Sequence, residues 1–135
     1  MRPHRLLMSC ALLSLPAAAA PALAGLWSFE EDGTVVEFAS CGDAVCATVR
    51  RPPPKSDQPA DDPKCGQLLV GGMKPDGGAG LHRGWVLDPA SDKRYTARLE
   101  PDSGALKLVV SAFGGAYSET YRLRPAAGAA EACKP

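Results

Sequence analysis

The tightest constraint in this sequence is an alternation of apolar and polar residues, repeated along the chain and broken at short intervals by turn chemistry. Arg94 to Glu100 shows it most cleanly. Tyr95, Ala97 and Leu99 point one way, and Arg94, Thr96, Arg98 and Glu100 the other. A period of two is the period of a β-strand with one buried and one solvated face. The pattern recurs in Gly25 to Phe29 with Trp27 and Phe29, and in Thr34 to Ala39 with Val36 and Phe38 opposite Glu37. It resumes at Ala47 to Arg50 and at the short apolar run Gln67 to Met73. Arg83 to Asp88 places Trp85 and Leu87 on one face. Leu106, Leu108, Val110 and Ala112 alternate with Lys107 and Ser111, and Tyr117, Tyr121 and Leu123 share the face of a last strand. Turn residues lie between these runs: Glu30-Glu31-Asp32-Gly33, Gly42-Asp43, Asp88 to Lys93, Pro101 to Gly104 and Gly114-Gly115. The 14 Gly and 13 Pro exceed average usage and mark these turns. Arg51 to Lys64, opening on Pro52-Pro53-Pro54, reads as an extended solvated loop. No segment carries a convincing helical pattern. Strands at this spacing predict a sandwich or a barrel, and sequential hairpins favour a small antiparallel up-and-down β-barrel of about eight strands. Such a barrel is just wide enough inside to be filled by side chains or to hold one small ligand.

The first 24 residues read as a cleavable secretory signal. Arg2, His4 and Arg5 make a short basic start, and Leu6 to Leu15 an apolar stretch too short to span a bilayer, which takes about 20 residues. Pro16, an alanine run and Ala22-Leu23-Ala24 follow, so the expected cut lies between Ala24 and Gly25. The protein is then periplasmic or secreted, with a barrel domain over residues 25–124 and a C-terminal tail over 125–135. Cys10 leaves with the signal, and the five cysteines become four. Four cysteines in a small exported domain are read as two disulfides, with three pairings on paper. The 135-residue chain has 15 basic and 15 acidic side chains, and losing Arg2 and Arg5 takes the balance to −2. A near-neutral chain without a basic block does not suit nucleic acid.

Several motifs in fixed order resemble the domain of unknown function 2147 family of small exported bacterial proteins. They are Gly25-Leu26-Trp27, Cys41-Gly42-Asp43-Ala44-Val45-Cys46, Gly84-Trp85-Val86-Leu87-Asp88-Pro89, Lys93-Arg94-Tyr95-Thr96-Ala97 and Leu106-Lys107. The resemblance spans Gly25 to Leu123. It implies a lipocalin-like periplasmic barrel with no established activity. Gly25-x-Trp27 also resembles the opening motif of lipocalins, in which the tryptophan plugs the closed end beneath an arginine of the last strand. Arg122 and Arg124 are the available partners, and the alternative is that Trp27 is a plain core aromatic. The chain departs from the family pattern at Ala47, at Val109-Val110-Ser111 and at Tyr121-Arg122-Leu123, where the family's arginine is missing or shifted.

Cys41 and Cys46 flank a tight turn on facing strands, so their side chains can meet. That leaves Cys65 and Cys133 to tie the Pro-rich loop to the tail. Cys41 and Cys46 lack the Cys-x-x-Cys spacing of oxidoreductases. A zinc site would need the four cysteines reduced in an oxidising compartment. His82 is the one histidine after the signal, and Glu30-Glu31-Asp32 and Asp61-Asp62 sit in turns, so no catalytic set, metal or cofactor is expected. Glu119 stands apart. If Tyr117, Tyr121 and Leu123 face inward, the same period carries Glu119 inward, where it would hold the polar end of a ligand; its alternative place is the wet mouth.

The expected interior is Trp27, Phe29, Val36, Phe38, Trp85, Tyr95, Leu99, Leu106, Leu108 and Tyr121, joined by Glu119. The expected function is non-enzymatic binding of a small hydrophobic or amphipathic molecule, which rests on fold analogy. The alternative is a module that binds an envelope protein, as inhibitor or chaperone, through Arg51 to Lys64. Neither reading requires a membrane span, and neither defines an oligomeric state.

Overall fold

A computed structural model describes residues 23–126 and Cys133. The expected signal, through residue 22, and most of the C-terminal tail lie outside the described residues. Eight strands follow in chain order: β1 Gly25–Phe29, β2 Val35–Cys41, β3 Ala44–Arg51, β4 Leu68–Pro75, β5 His82–Asp88, β6 Lys93–Asp102, β7 Ala105–Ala112 and β8 Tyr117–Pro125. Two single 3₁₀ turns, Pro59–Asp61 and Phe113–Gly115, complete the regular structure of the described residues. Among the described residues no helix is long and apolar enough to cross a membrane.

Every strand pairs antiparallel with its sequence neighbours, and β1 closes on β8. Trp27 sits opposite Pro125, Ser28 opposite Arg124 and Phe29 opposite Leu123. Pro125 comes at the strand end, where its missing N–H costs little. Closure removes the two free edges that an open sheet of this size would expose. The all-β barrel expected from alternation is therefore what the chain forms.

The alternation decides which side chains enter the barrel. On β6 Tyr95, Ala97 and Leu99 point in, and on β7 Leu106, Leu108 and Val110 do so, with Leu106, Leu108 and Leu99 almost wholly buried. Register places Leu108 opposite Tyr121 and Val110 opposite Glu119. Phe38 faces Ala47 on β3, and Val36 faces Val49 and Trp27. These residues join Val70, Met73 and Leu123 in one continuous core. The polar partners of the pattern stay outside in ion pairs, such as Arg50 with Glu37 at 2.8 Å and Arg98 with Glu100 at 2.6 Å.

The barrel has two unlike ends. One carries the β2–β3, β4–β5 and β6–β7 turns and is filled. There Trp27 is 6% exposed, and Leu23, itself 8% exposed, packs on the same core. The Trp27 Nε1–H donates to the Leu23 carbonyl at 3.0 Å. The β2–β3 turn is Gly42-Asp43, with Gly42 at φ +70°, a conformation suited to a two-residue hairpin. Cys41 and Cys46 are bonded across this hairpin, with Cα atoms 5.9 Å apart. The other end carries the β1–β2 turn, the long β3–β4 loop and the β5–β6 and β7–β8 turns. Cys65, in the long loop, is bonded to Cys133, with Cα atoms 5.6 Å apart. The Cys133 N–H donates to the Arg50 carbonyl at 2.7 Å.

Candidate ligand cavity

Burial along β8 shows how the second end opens. The inward column runs Leu123, Tyr121, Glu119, Tyr117. Leu123 is fully buried, Tyr121 half-buried, Glu119 exposed, and Tyr117 is 50% exposed at the lip. On β7 the column Leu106, Leu108, Val110, Ala112 rises from buried to half-buried in step with it. Small Ala112 and Val110 sit beside Tyr117 and Glu119 on the neighbouring strand, and side chains do not fill the barrel at this level. The result is a cavity of about 520 Å³, open at the mouth. Leu108, Val110, Val86 and Phe29 form its apolar wall, and Pro63, buried at the end of the long loop, contributes to the rim.

Glu119 is the polar feature of the inward column. The Tyr117 hydroxyl donates to its Oε2 at 2.7 Å. This bond to the carboxylate holds the Tyr117 phenol above its ordinary pKa. Burial, with the bond to Glu119, pushes the Tyr121 phenol well up. Both tyrosines therefore remain hydroxyl donors facing a carboxylate. The Phe29 and Tyr121 rings meet edge to face, with centroids 6.2 Å apart and planes at 79°. The remaining carboxylates at the rim accept hydrogen bonds within their turns or from β8. Asp32 Oδ1 accepts the Thr34 N–H at 2.9 Å. Glu31 Oε1 accepts the Arg122 N–H at 2.9 Å. Asp88 accepts the Ala90 N–H at 3.1 Å and the Ser91 hydroxyl at 2.8 Å.

The cavity brings together Phe29, Tyr95, Leu108, Glu119 and Tyr121 from the expected interior. Trp27, Val36, Phe38 and Leu99 lie in the filled part of the core and do not line it. Trp85 is a correction, because it lies on the outer face of β5. Register pairs Val86 with inward Tyr95, so Trp85, opposite Thr96, points out. Its ring lies across Gly71 of β4, where a Cβ would overlap the indole, and the Arg94 guanidinium stacks on it at 3.9 Å from the centroid. Trp85-Val86-Leu87 is apolar on both faces, so period alone could not choose the inner one. The stacked arginine is likewise not on Trp27. Arg122 pairs with Asp102 at 2.9 Å, and Arg124 with Glu30.

Other lining residues were not among those singled out from sequence. Tyr117 and Val110 belong to columns already visible in the alternation and were within reach of it. Pro63 and Pro89 arrive from loops, which carry no period, and Asp88 is the last residue of β5. Phe113 also comes from a turn. It adopts φ +55°, rare for a side chain of its size, and is 86% exposed at the rim beside Gly114 and Gly115. His82 is not part of the cavity; its Nδ1 lies 2.9 Å from the Gly80 carbonyl oxygen.

A family model described as "Uncharacterized protein conserved in bacteria (DUF2147)" matches residues 25–121, which are β1 to β7 and half of β8. Among solved structures, protein HP1028 from the human pathogen Helicobacter pylori, described as belonging to the lipocalin family, is similar. The TM-score is 0.57, over 76% of this chain and 82% of that one, at 17% sequence identity. At that identity the likeness is one of fold, and the fold here is lipocalin-like. No curated protein sequence matches the chain.

Proposed function

The chain belongs to the DUF2147 family of bacterial proteins, and from that membership and the open cavity we propose that it is an exported, non-enzymatic barrel that binds one small hydrophobic or amphipathic molecule. The cavity carries this reading. Its volume of about 520 Å³ falls inside the range of roughly 300–1,000 Å³ usual for small-molecule sites. An apolar wall with a few convergent polar groups at one end is the chemistry such sites share. Export is supported by the signal-like start, with the cut between Ala24 and Gly25, and by two disulfides, which persist in oxidising compartments such as the periplasm. The long β3–β4 loop supports ligand binding more than protein docking, since its Pro63 is buried and lines the cavity.

The test is native mass spectrometry of the protein incubated with envelope lipid extract, read alongside thermal unfolding. Retention of one bound species is expected, with a stability gain of about 2.7 kcal/mol at ligand a hundredfold above Kd. Val110→Trp, which fills the cavity, should abolish both. No bound species and no thermal shift across the extract would overturn the reading.

A further inference from the structure

The cavity's aromatic and charged groups specify more than an apolar guest. The chain has eight aromatic residues, and all three tyrosines and two of the three phenylalanines line this one cavity. Tyr95, Tyr117, Tyr121, Phe29 and Phe113 thus come from four different strands or turns to one cavity. Aromatic faces are electron-rich and attract a cation near the ring centroid, and several rings around one point form a cage for ammonium groups. The charge at the same place has one sign. Among the described residues, the ionisable side chains lining the cavity, apart from the phenols, are Glu31, Asp32, Asp88 and Glu119, with no Lys, Arg or His.

The arginines nearby are directed elsewhere. Alternation sends Arg94, Arg98, Arg122 and Arg124 outward, where Arg94 stacks on Trp85 and the others pair with Glu100, Asp102 and Glu30. Asp32 and Asp88 accept hydrogen bonds within their turns, and Glu31 accepts the Arg122 N–H of β8. Glu119 differs. Among the described residues no cationic side chain pairs with it, and it stands on the inward column between Tyr117 and Tyr121. Its carboxylate lies above the apolar wall of Leu108 and Val110, where the head of a guest with a buried tail would sit.

Building on the ligand-binding reading above, we propose that the cavity selects amphiphiles with a cationic ammonium head: Glu119 is the counter-ion, Tyr117, Tyr121 and Phe29 supply ring faces, and the alkyl tail lies on Leu108 and Val110. An anionic head would meet carboxylates on the rim with no cation among the described lining residues to offset them. A neutral amphiphile would bind through its tail alone.

Isothermal titration of the whole chain, with both disulfides formed, against decyltrimethylammonium, decyl sulfate and decanol, each below its aggregation limit, tests the assignment. The cation should bind at least about tenfold tighter than decanol, and the sulfate more weakly than either. Glu119→Gln should remove most of the preference for the cation over decanol. Tyr117→Leu should weaken the cation more than decanol, whereas Tyr117→Phe should retain most of the preference. Glu119 and Tyr117 are exposed, so these variants should keep the thermal midpoint, which serves as the folding control. Decylammonium run beside decyltrimethylammonium separates a hydrogen-bonded amine from a caged quaternary ammonium. Tighter binding of the quaternary ion supports the rings as the main contact, and tighter binding of the amine overturns that part. Equal affinity for cation and sulfate, or a cation preference that survives Glu119→Gln, overturns the head-group assignment while decanol binding upholds the cavity. Failure of all the probes to bind overturns both.

Discussion

At the scale of single residues, the contrast between Trp27 and Trp85 shows how one residue type takes two places. Both follow a glycine by one or two residues in short strands. Trp27 enters the barrel because β1 has one apolar face, and its Nε1–H finds the Leu23 carbonyl. Trp85 lies in a segment apolar on both faces. Its outward placement depends on Gly71, distant in sequence, which leaves the indole a seat on the backbone of β4. Overpacking a site of this kind costs roughly 1–3 kcal/mol. Gly71→Ala is therefore expected to destabilise the fold by about that amount and to shift Trp85 fluorescence towards that of solvated indole. Gly78→Ala is the matched control. A Cβ there meets nothing within 4 Å, and the substitution should be close to neutral in the same urea titration. Glu119 is the opposite case, since its inward direction was legible from Tyr121 and Leu123 two and four residues on. Its depth was not, because alternation gives the face of a strand and not the height of a residue along the barrel.

Among the elements, the hairpins were the easiest to read and the loops the hardest. Gly42-Asp43 between two alternating runs announces a tight turn, and the cysteines on either side follow from the register of that turn. The β3–β4 loop is different. Its prolines mark it as irregular, yet nothing in their order says that Pro63 returns to the cavity rim. Cys65 holds the loop just beyond that residue by its bond to Cys133, which closes a span of 68 residues against 5 for Cys41–Cys46. Chain-entropy reasoning gives about 4 kcal/mol for the long closure and about 2 for the short one. Replacing Cys65 and Cys133 together by Ser should accordingly lower the denaturation midpoint more than replacing Cys41 and Cys46. Equal losses from the two double variants would show that the long bridge does not act by restraining the unfolded chain.

At the scale of the whole molecule, the barrel works because one end is filled and the other is open. Leu23 helps to close the filled end, and it precedes the expected cut. Burying a leucine contributes roughly 1.5–3 kcal/mol, and the Trp27 N–H would lose its acceptor without it. A chain beginning at Gly25 should thus be less stable than one beginning at Leu23 by about 2–4 kcal/mol in urea denaturation. Identical midpoints would mean that Trp27 finds another acceptor and the end closes without Leu23. Sequence by itself determined that the chain is all-β, that its strands meander and where its hairpins turn. These properties are local: a period of two and a Gly-Asp pair act within a few residues. It also placed Tyr121, Leu108 and Glu119 on inner faces, for the same reason. Tertiary structure alone decided that Trp85 lies outside, that Pro63 and Phe113 reach the mouth, and that one end of the barrel stays open. Each of these depends on the volumes that distant strands bring opposite one another, such as Gly71 beneath Trp85 or Ala112 across from Tyr117, and closure of the barrel is what brings those volumes together.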